Sequence, residues 1–217
     1  IGEIGHNKYE NNLVLYDQPK SIISESFRTI RANISYMVKG KDTICILLSS
    51  SISGEGKTFC SMNLATSYAL LGKKTILIGA DLRKPKIFDD FGLNNTIGLT
   101  NFLILDKTSK EVIQQSKFDN LDLITSGPIP PNPSELLASE EMTQLITELK
   151  QVYDVIVIDT PPTGLVSDAL MLAKHADVNF YMVRQNYTNR AHLKLINEHY
   201  ENQAIKNLGI IINDISL

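Results

Sequence analysis

Short, wholly apolar runs alternate along this chain with stretches in which apolar residues recur every three or four positions. Ile23, Phe27, Ile30, Ile34 and Met37 stand at helical spacing, which predicts a helix opening at Ser21 or Ser24 with one face turned inward. Residues 44–49, 75–80, 121–125, 155–159, 178–183 and 209–212 read as strands. Between and after them the pattern predicts helices over 56–71, 98–105, 108–116, 134–137, 140–152, 168–175 and 188–203, with Gly72 ending the first and Asp168 capping the start of another. Strands that are apolar on both faces and alternate with helices belong to a mostly parallel sheet covered on both sides, an α/β three-layer sandwich. Residues 1–20 are polar and broken by Gly2, Gly5 and Pro19; they read as a linker holding one short extended piece over 13–16. Residues 21–217 read as a single domain, in which the proline-rich stretch 127–133 is a rigid loop.

Composition narrows the class without choosing the function. The 217 residues, 43% hydrophobic and 21% charged, suit one soluble domain with one good-sized core. A net charge of −3 gives no reason to expect nucleic acid as a partner. No apolar run approaches the roughly 20 residues that cross a bilayer, and no secretory signal is present. Cys45 and Cys60 lie in a strand and a helix without metal-ligand spacing, so they read as core packing in a reducing compartment. The chain opens at Ile1 without a methionine and reads as a piece of a longer protein.

The chemistry concentrates between the first apolar strand and the helix after it. Ser51-Ile52-Ser53-Gly54-Glu55-Gly56-Lys57-Thr58 has the form of a phosphate loop, in which backbone N–H groups curl around phosphate at a helix N-terminus. ATP is the expected ligand, with Ser53, Gly54, Glu55, Gly56, Lys57, Thr58 and Phe59 as its binding residues. Lys57 would reach the β- and γ-phosphates, and the Thr58 hydroxyl would bind Mg²⁺. Ser51 stands where such loops begin with glycine. Asp159 closes an apolar strand, where open α/β sheets bind ligands, and is expected at Mg²⁺. Asp81 ends another strand and is followed by Arg83, Lys84 and Lys86; its carboxylate could bind metal or accept a hydroxyl proton. Asn213 follows the last strand and is expected at the adenine, and Arg184 ends a strand on the same side.

Together these residues give the chain a resemblance to the bacterial tyrosine kinases, the cytoplasmic domains of exopolysaccharide chain-length and export proteins. Four motifs carry it: the loop at 51–58, the Asp81 strand end, Asp159-Thr160-Pro161-Pro162, and the long run Gly127-Pro128-Ile129-Pro130-Pro131-Asn132-Pro133-Ser134-Glu135-Leu136-Leu137. Glu25, Arg28 and Arg31 resemble that family's subunit-contact motif. The resemblance implies a P-loop kinase domain that forms rings of itself, phosphorylates tyrosines between subunits and regulates capsule synthesis and export. It also implies a polysaccharide co-polymerase membrane region as partner, residues 1–20 following a membrane anchor, and a place on the cytoplasmic face of the bacterial inner membrane. Lys57, Asp81 and Asp159 would be catalytic, and Thr58, Asp81 and Asp159 would hold the metal. Two departures stand out: Gly79 replaces the first aspartate of the family's paired motif, and no tyrosine follows Tyr200. A partitioning-type ATPase switch, or a nucleotide-binding module without catalysis, stays open beside the kinase reading.

Overall fold

The computed structural model describes residues 1–9, 11–162, 168–202 and 205–216, the side chains of residues 168, 195 and 199 excepted. In chain order the elements are β1 (Gly2–Gly5), α1 (Val14–Asp17), α2 (Ile22–Met37), β2 (Ile44–Ser50), α3 (Lys57–Ala69), β3 (Thr75–Gly79), α4 (Ile87–Phe91), α5 (Leu99–Leu103), α6 (Ser109–Val112), β4 (Ile113–Gln115), β5 (Leu121–Ile124), α7 (Pro133–Ala138), α8 (Glu140–Lys150), β6 (Val155–Asp159), α9 (Asp168–Ala173), β7 (Val178–Arg184), α10 (Arg190–Glu201) and β8 (Leu208–Ile215). Local chemistry sets many of the boundaries. The Ser21 hydroxyl accepts from the Ser24 amide at the start of α2, and Asn189 does the same for α10. Pro133 opens α7, where a missing N–H costs nothing. The Asp168 side chain, expected as a cap, lies outside the described residues.

The strands form one sheet in the order β1-β8-β7-β2-β6-β3-β5-β4, parallel throughout except where β4 meets β5. Along β6, Val155 and Val157 join one apolar cluster with Phe27, Ile34 and Leu64, while Ile156 and Ile158 join another with Leu145, Leu149 and Leu172. A strand buried on both faces needs helices on both faces, and α2 and α3 cover one while α5, α8 and α9 cover the other. This is the expected three-layer sandwich. No helix of the described residues is long and apolar enough to cross a membrane.

Three expectations are corrected at the margins. Residues 1–20 are not a detached linker: β1 pairs in parallel with β8, Ile4 is fully buried, and Leu13, Val14 and Leu15 sit in the core. Main-chain pairing leaves little trace in side-chain pattern, so a strand with a single apolar residue was invisible. Residues 13–16 form a helical turn rather than an extended piece, begun by Asn11, whose side-chain oxygen accepts from the Leu13 amide. At 108–116 only the first residues are helical, and β4 completes the sheet edge against β5.

His175 follows α9 with its Nε2 buried and without a hydrogen-bond partner. Burial, reinforced by Lys174 and Lys150, holds its pKa down at about 4. The unfolded chain therefore binds a proton at this residue between about pH 6.5 and 4 that the folded chain refuses, so stability drains away as pH falls through that window. A His175→Gln variant should lose less stability than the native chain between pH 7 and 5, read from urea midpoints. Parallel losses would remove His175 as the cause.

Candidate functional site

The carboxyl ends of β2, β6, β3, β7 and β8 share one edge of the sheet because these strands are parallel neighbours. Residues 51–56 leave β2 at that edge and enter α3 at Lys57. Gly54 and Gly56 both hold φ at +91°, a conformation that side chains resist, and a Cβ on Gly56 would stand 1.9 Å from the Asn213 amide nitrogen. Ser51, in the place of a first glycine, needs no such freedom: it is buried, and its hydroxyl bonds the Tyr181 hydroxyl.

Register sets Asp159 opposite Leu48 of β2 and Gly79 of β3, directly beneath the loop. Its carboxylate is 1% exposed and collects three donors: Lys57 Nζ, the Thr58 hydroxyl and the Ser61 hydroxyl, each at 2.9 Å. One ammonium and two hydroxyl donors thus meet the lone pairs of this buried carboxylate, as burial requires. Ser61 was not foreseen, although its place one helical turn after Lys57 and Thr58 was a usable signal. At the end of β3 the Asp81 Oδ1 accepts from the amides of Arg83 (3.1 Å) and Lys84 (2.9 Å), which fixes the carboxylate at the rim. Arg83 reaches Ser134 of the proline-rich motif at 2.8 Å, tying the Asp81 turn to that loop.

A cavity of about 210 Å³ is lined by the loop residues Ile52 to Phe59 together with Ser50, Asp81, Lys84, Lys86 and Pro162. Ser53, Gly54, Glu55, Gly56, Lys57, Thr58 and Phe59 are thus brought together as the sequence implied. The Glu55 carboxylate, however, accepts from the Ile52 amide and the Thr188 hydroxyl, bracing the loop from within. Asn213 is also placed differently. It lies within β8, not after a strand, and its side chain donates to the Glu55 carbonyl at 3.0 Å from outside the cavity lining. Strand β8 outruns the predicted 209–212 because its later residues pair with β7 and with β1.

The oxygen donors fit a hard divalent cation. Mg²⁺ takes few protein ligands when phosphates and water supply the rest, and Thr58, which lines the cavity, donates its hydroxyl to the Asp159 carboxylate just behind it. The described residues contain no cluster of three His, Cys, Asp or Glu of the kind a self-sufficient metal site would need. Gly79 leaves room that is already used. Ser126 Oγ contacts the carbonyls of Gly79 (2.7 Å) and Asp81 (3.0 Å), and a Cβ at position 79 would stand 3.2 Å from that oxygen. Ser126, missed in the sequence, therefore steadies the Asp81 turn in a chain without the paired aspartate.

The expected subunit-contact residues separate. Arg28 pairs with Glu25 and donates to the Pro19 carbonyl at the surface. Arg31 turns inward and donates to the Ser67 carbonyl of α3; burial lowers its guanidinium from the ordinary value. A larger cavity, about 460 Å³, opens between His6, Lys8, Tyr9 and the start of α2, but it contains none of the strand-end carboxylates.

Comparison with known proteins accords with this geometry. Residues 43–179 match the family model described as AAA domain. The chain is 38% identical over 207 residues to the tyrosine-protein kinase YwqD of Bacillus subtilis, covering 95% of this chain and 87% of that one. It is 37% identical over 205 residues to the putative tyrosine-protein kinase CapB of Staphylococcus aureus, covering 94% and 90%. The crystal structure of the chimerical protein CapA2B2 superposes with a TM-score of 0.91 at 36% identity, over 100% of this chain and 94% of that one. The septum site-determining protein MinD of Pyrococcus horikoshii, at 21% identity and a TM-score of 0.66, covers 79% of this chain and 70% of its own, and shares the fold alone.

Proposed function

The chain belongs to the bacterial tyrosine-protein kinases, and on that basis we propose how its own residues transfer a phosphoryl group from ATP to tyrosine. The observation that carries the proposal is the convergence of Lys57, Thr58 and Asp81 on one cavity at the mouth of the sheet, with Asp159 bonded to Lys57 and Thr58 directly behind them. The amides of the phosphate loop cradle the phosphates of ATP. Lys57 exchanges its contact with Asp159 for oxygens of the β- and γ-phosphates and neutralises their charge. Thr58 and Asp159, with Asp81 nearby, would hold Mg²⁺, whose charge would offset that of the phosphates. A tyrosine oxygen attacks the γ-phosphorus in line while the bond to the bridging oxygen of ADP breaks, and Asp81 orients the hydroxyl and accepts its proton. Phosphoryl transfer rests more on position and charge than on a strong base, so the absence of a carboxylate at Gly79 is compatible with turnover.

The substrate tyrosine comes from another copy of the chain in a ring of subunits. Glu25 and Arg28, exposed at the start of α2, contribute to that contact, while Arg31 shapes it by locking α2 onto α3. Asn213 serves the nucleotide by holding the loop from behind rather than by touching the base. The chain works in capsular or exopolysaccharide synthesis and export, beside a polysaccharide co-polymerase membrane region at the cytoplasmic face of the bacterial inner membrane. Residues 1–20, packed on the kinase domain through β1 and α1, follow that region in the chain. Membership in the kinase family, and Ile52 at the place where partitioning-type ATPases carry a lysine, favour this reading over the ATPase switch.

The native chain incubated with ATP and Mg²⁺ should acquire phosphotyrosine. Asp81→Asn should cut that rate by about a hundredfold or more while ADP affinity changes far less. Absence of phosphotyrosine in the native reaction would defeat the kinase reading, and an undiminished rate in Asp81→Asn would defeat the role given to that carboxylate.

A further inference from the structure

Three consecutive carbonyls of the phosphate loop are each drawn outward by a side chain that does not line the cavity. The Ser53 carbonyl accepts from the Tyr187 hydroxyl at 2.9 Å, the Gly54 carbonyl from Arg184 Nη1 at 2.9 Å, and the Glu55 carbonyl from Asn213 Nδ2 at 3.0 Å. Every described peptide here is trans. In a trans peptide the carbonyl and the next N–H point in opposite directions. Pulling these carbonyls away from the cavity therefore turns the amides of Gly54, Glu55 and Gly56 toward it. Among the described residues none of those three amides donates to another protein group. Successive inward N–H groups in such a turn make a concave anion receptor.

The donors are themselves held. Arg184 donates through Nε to Asp214 at 2.8 Å, and its guanidinium lies 5.0 Å from the centre of the Tyr187 ring. His6 Nδ1 stands 2.5 Å from the other Asp214 oxygen. Hydrogen bonds to His6 and then to Arg184 hold the Asp214 carboxyl below its ordinary pKa, so it stays charged at neutral pH. Thr188, from the same turn as Tyr187, donates to the Glu55 carboxylate, which in turn occupies the Ile52 amide. The turn after β7 and the end of β8 thus form a brace that grips the loop from behind.

We infer that Tyr187, Arg184 and Asn213 are positioning residues that set the phosphate loop in its anion-binding form, acting on the nucleotide only through the loop backbone. The inference rests on the proposed ATP site and deepens it: the three side chains preorganise amides and do not recognise the nucleoside. Preorganised donors raise affinity because their ordering is not charged to the binding step.

Titration calorimetry with inorganic pyrophosphate and with ADP, both in Mg²⁺ buffer, tests this on the native chain and on Lys57→Met, Tyr187→Phe and Arg184→Lys. Tyr187→Phe removes one oxygen from a side chain that is 47% exposed, so folding is not at stake. Arg184→Lys keeps the charge but not the fork that spans Asp214 and Gly54. Each of these two variants should weaken pyrophosphate and ADP by the same factor, about threefold to tenfold, with thermal midpoints near the native value. Native pyrophosphate affinity in both, while Lys57→Met loses it, would overturn the inference and leave the ATP site standing. A loss confined to ADP would also overturn it, because it would mean direct contact with the nucleoside. Equal pyrophosphate binding by the native and Lys57→Met chains would remove the phosphate site and this inference together.

Discussion

A Lys57→Met chain supplied with ATP and Mg²⁺ is expected to form phosphotyrosine at least about a hundredfold more slowly than the native chain, the scale set by removing one preorganised electrostatic group. Lys57 is 6% exposed and stands 2.9 Å from Asp159 at the floor of the cavity, so its charge acts where water screens it little. Methionine keeps the apolar stem and removes only the cation. Asp159 would retain the Thr58 and Ser61 hydroxyls but lose its counter-charge, so some stability should go as well. The phosphotyrosine blot therefore belongs beside a thermal melt, with the assay held well below the variant's midpoint. An undiminished rate would show that Lys57 does not carry the transferring phosphate, and the mechanism built on it would fall.

The largest loss of stability is expected at Phe27. Its ring is fully buried in the cluster that joins α2 to the sheet, with the Phe59 ring centre 6.0 Å away. Truncation to alanine deletes this packing and leaves a cavity, at a cost of about 3–5 kcal/mol. For a domain of this size each kcal/mol moves the melting midpoint by about 2–4 °C, so a drop of about 10 °C is the expected reading. Phe59 also lines the cavity beside the loop at 51–58, so ADP affinity is expected to soften in the same variant. A loss below about 1 kcal/mol in a urea titration would mean that α2 is not part of the cooperative core.

How far the sequence reached can be judged from particular residues. The stripe from Ile23 to Met37 and the run at 155–159 have periods that belong to helix and buried strand, and both elements formed within a residue or two of expectation. The form of the loop at 51–58 was legible because its glycines, lysine and threonine stand at fixed offsets within a few residues of one another. The kinase family was legible because four motifs spread over most of the chain point the same way, and relatives at 37–38% identity share that family. By contrast, Arg31 carries the same charge as Arg28 three residues earlier, yet one is spent on Ser67 of a neighbouring helix and the other on the surface. Nothing in the local pattern separates them.

Local order therefore decided the helix and strand inventory and the form of the loop that carries Lys57 and Thr58, since each depends on residues close in the chain. Folding alone decided that β1 closes the sheet against β8, that Ser126 steadies the Asp81 turn, and that Tyr187, Arg184 and Asn213 grip the loop. Those contacts join residues 45 to more than 200 positions apart. They are made by backbone carbonyls that every residue possesses. A carbonyl has no signature in a sequence, so only the approach of distant strands could reveal which side chain it would meet.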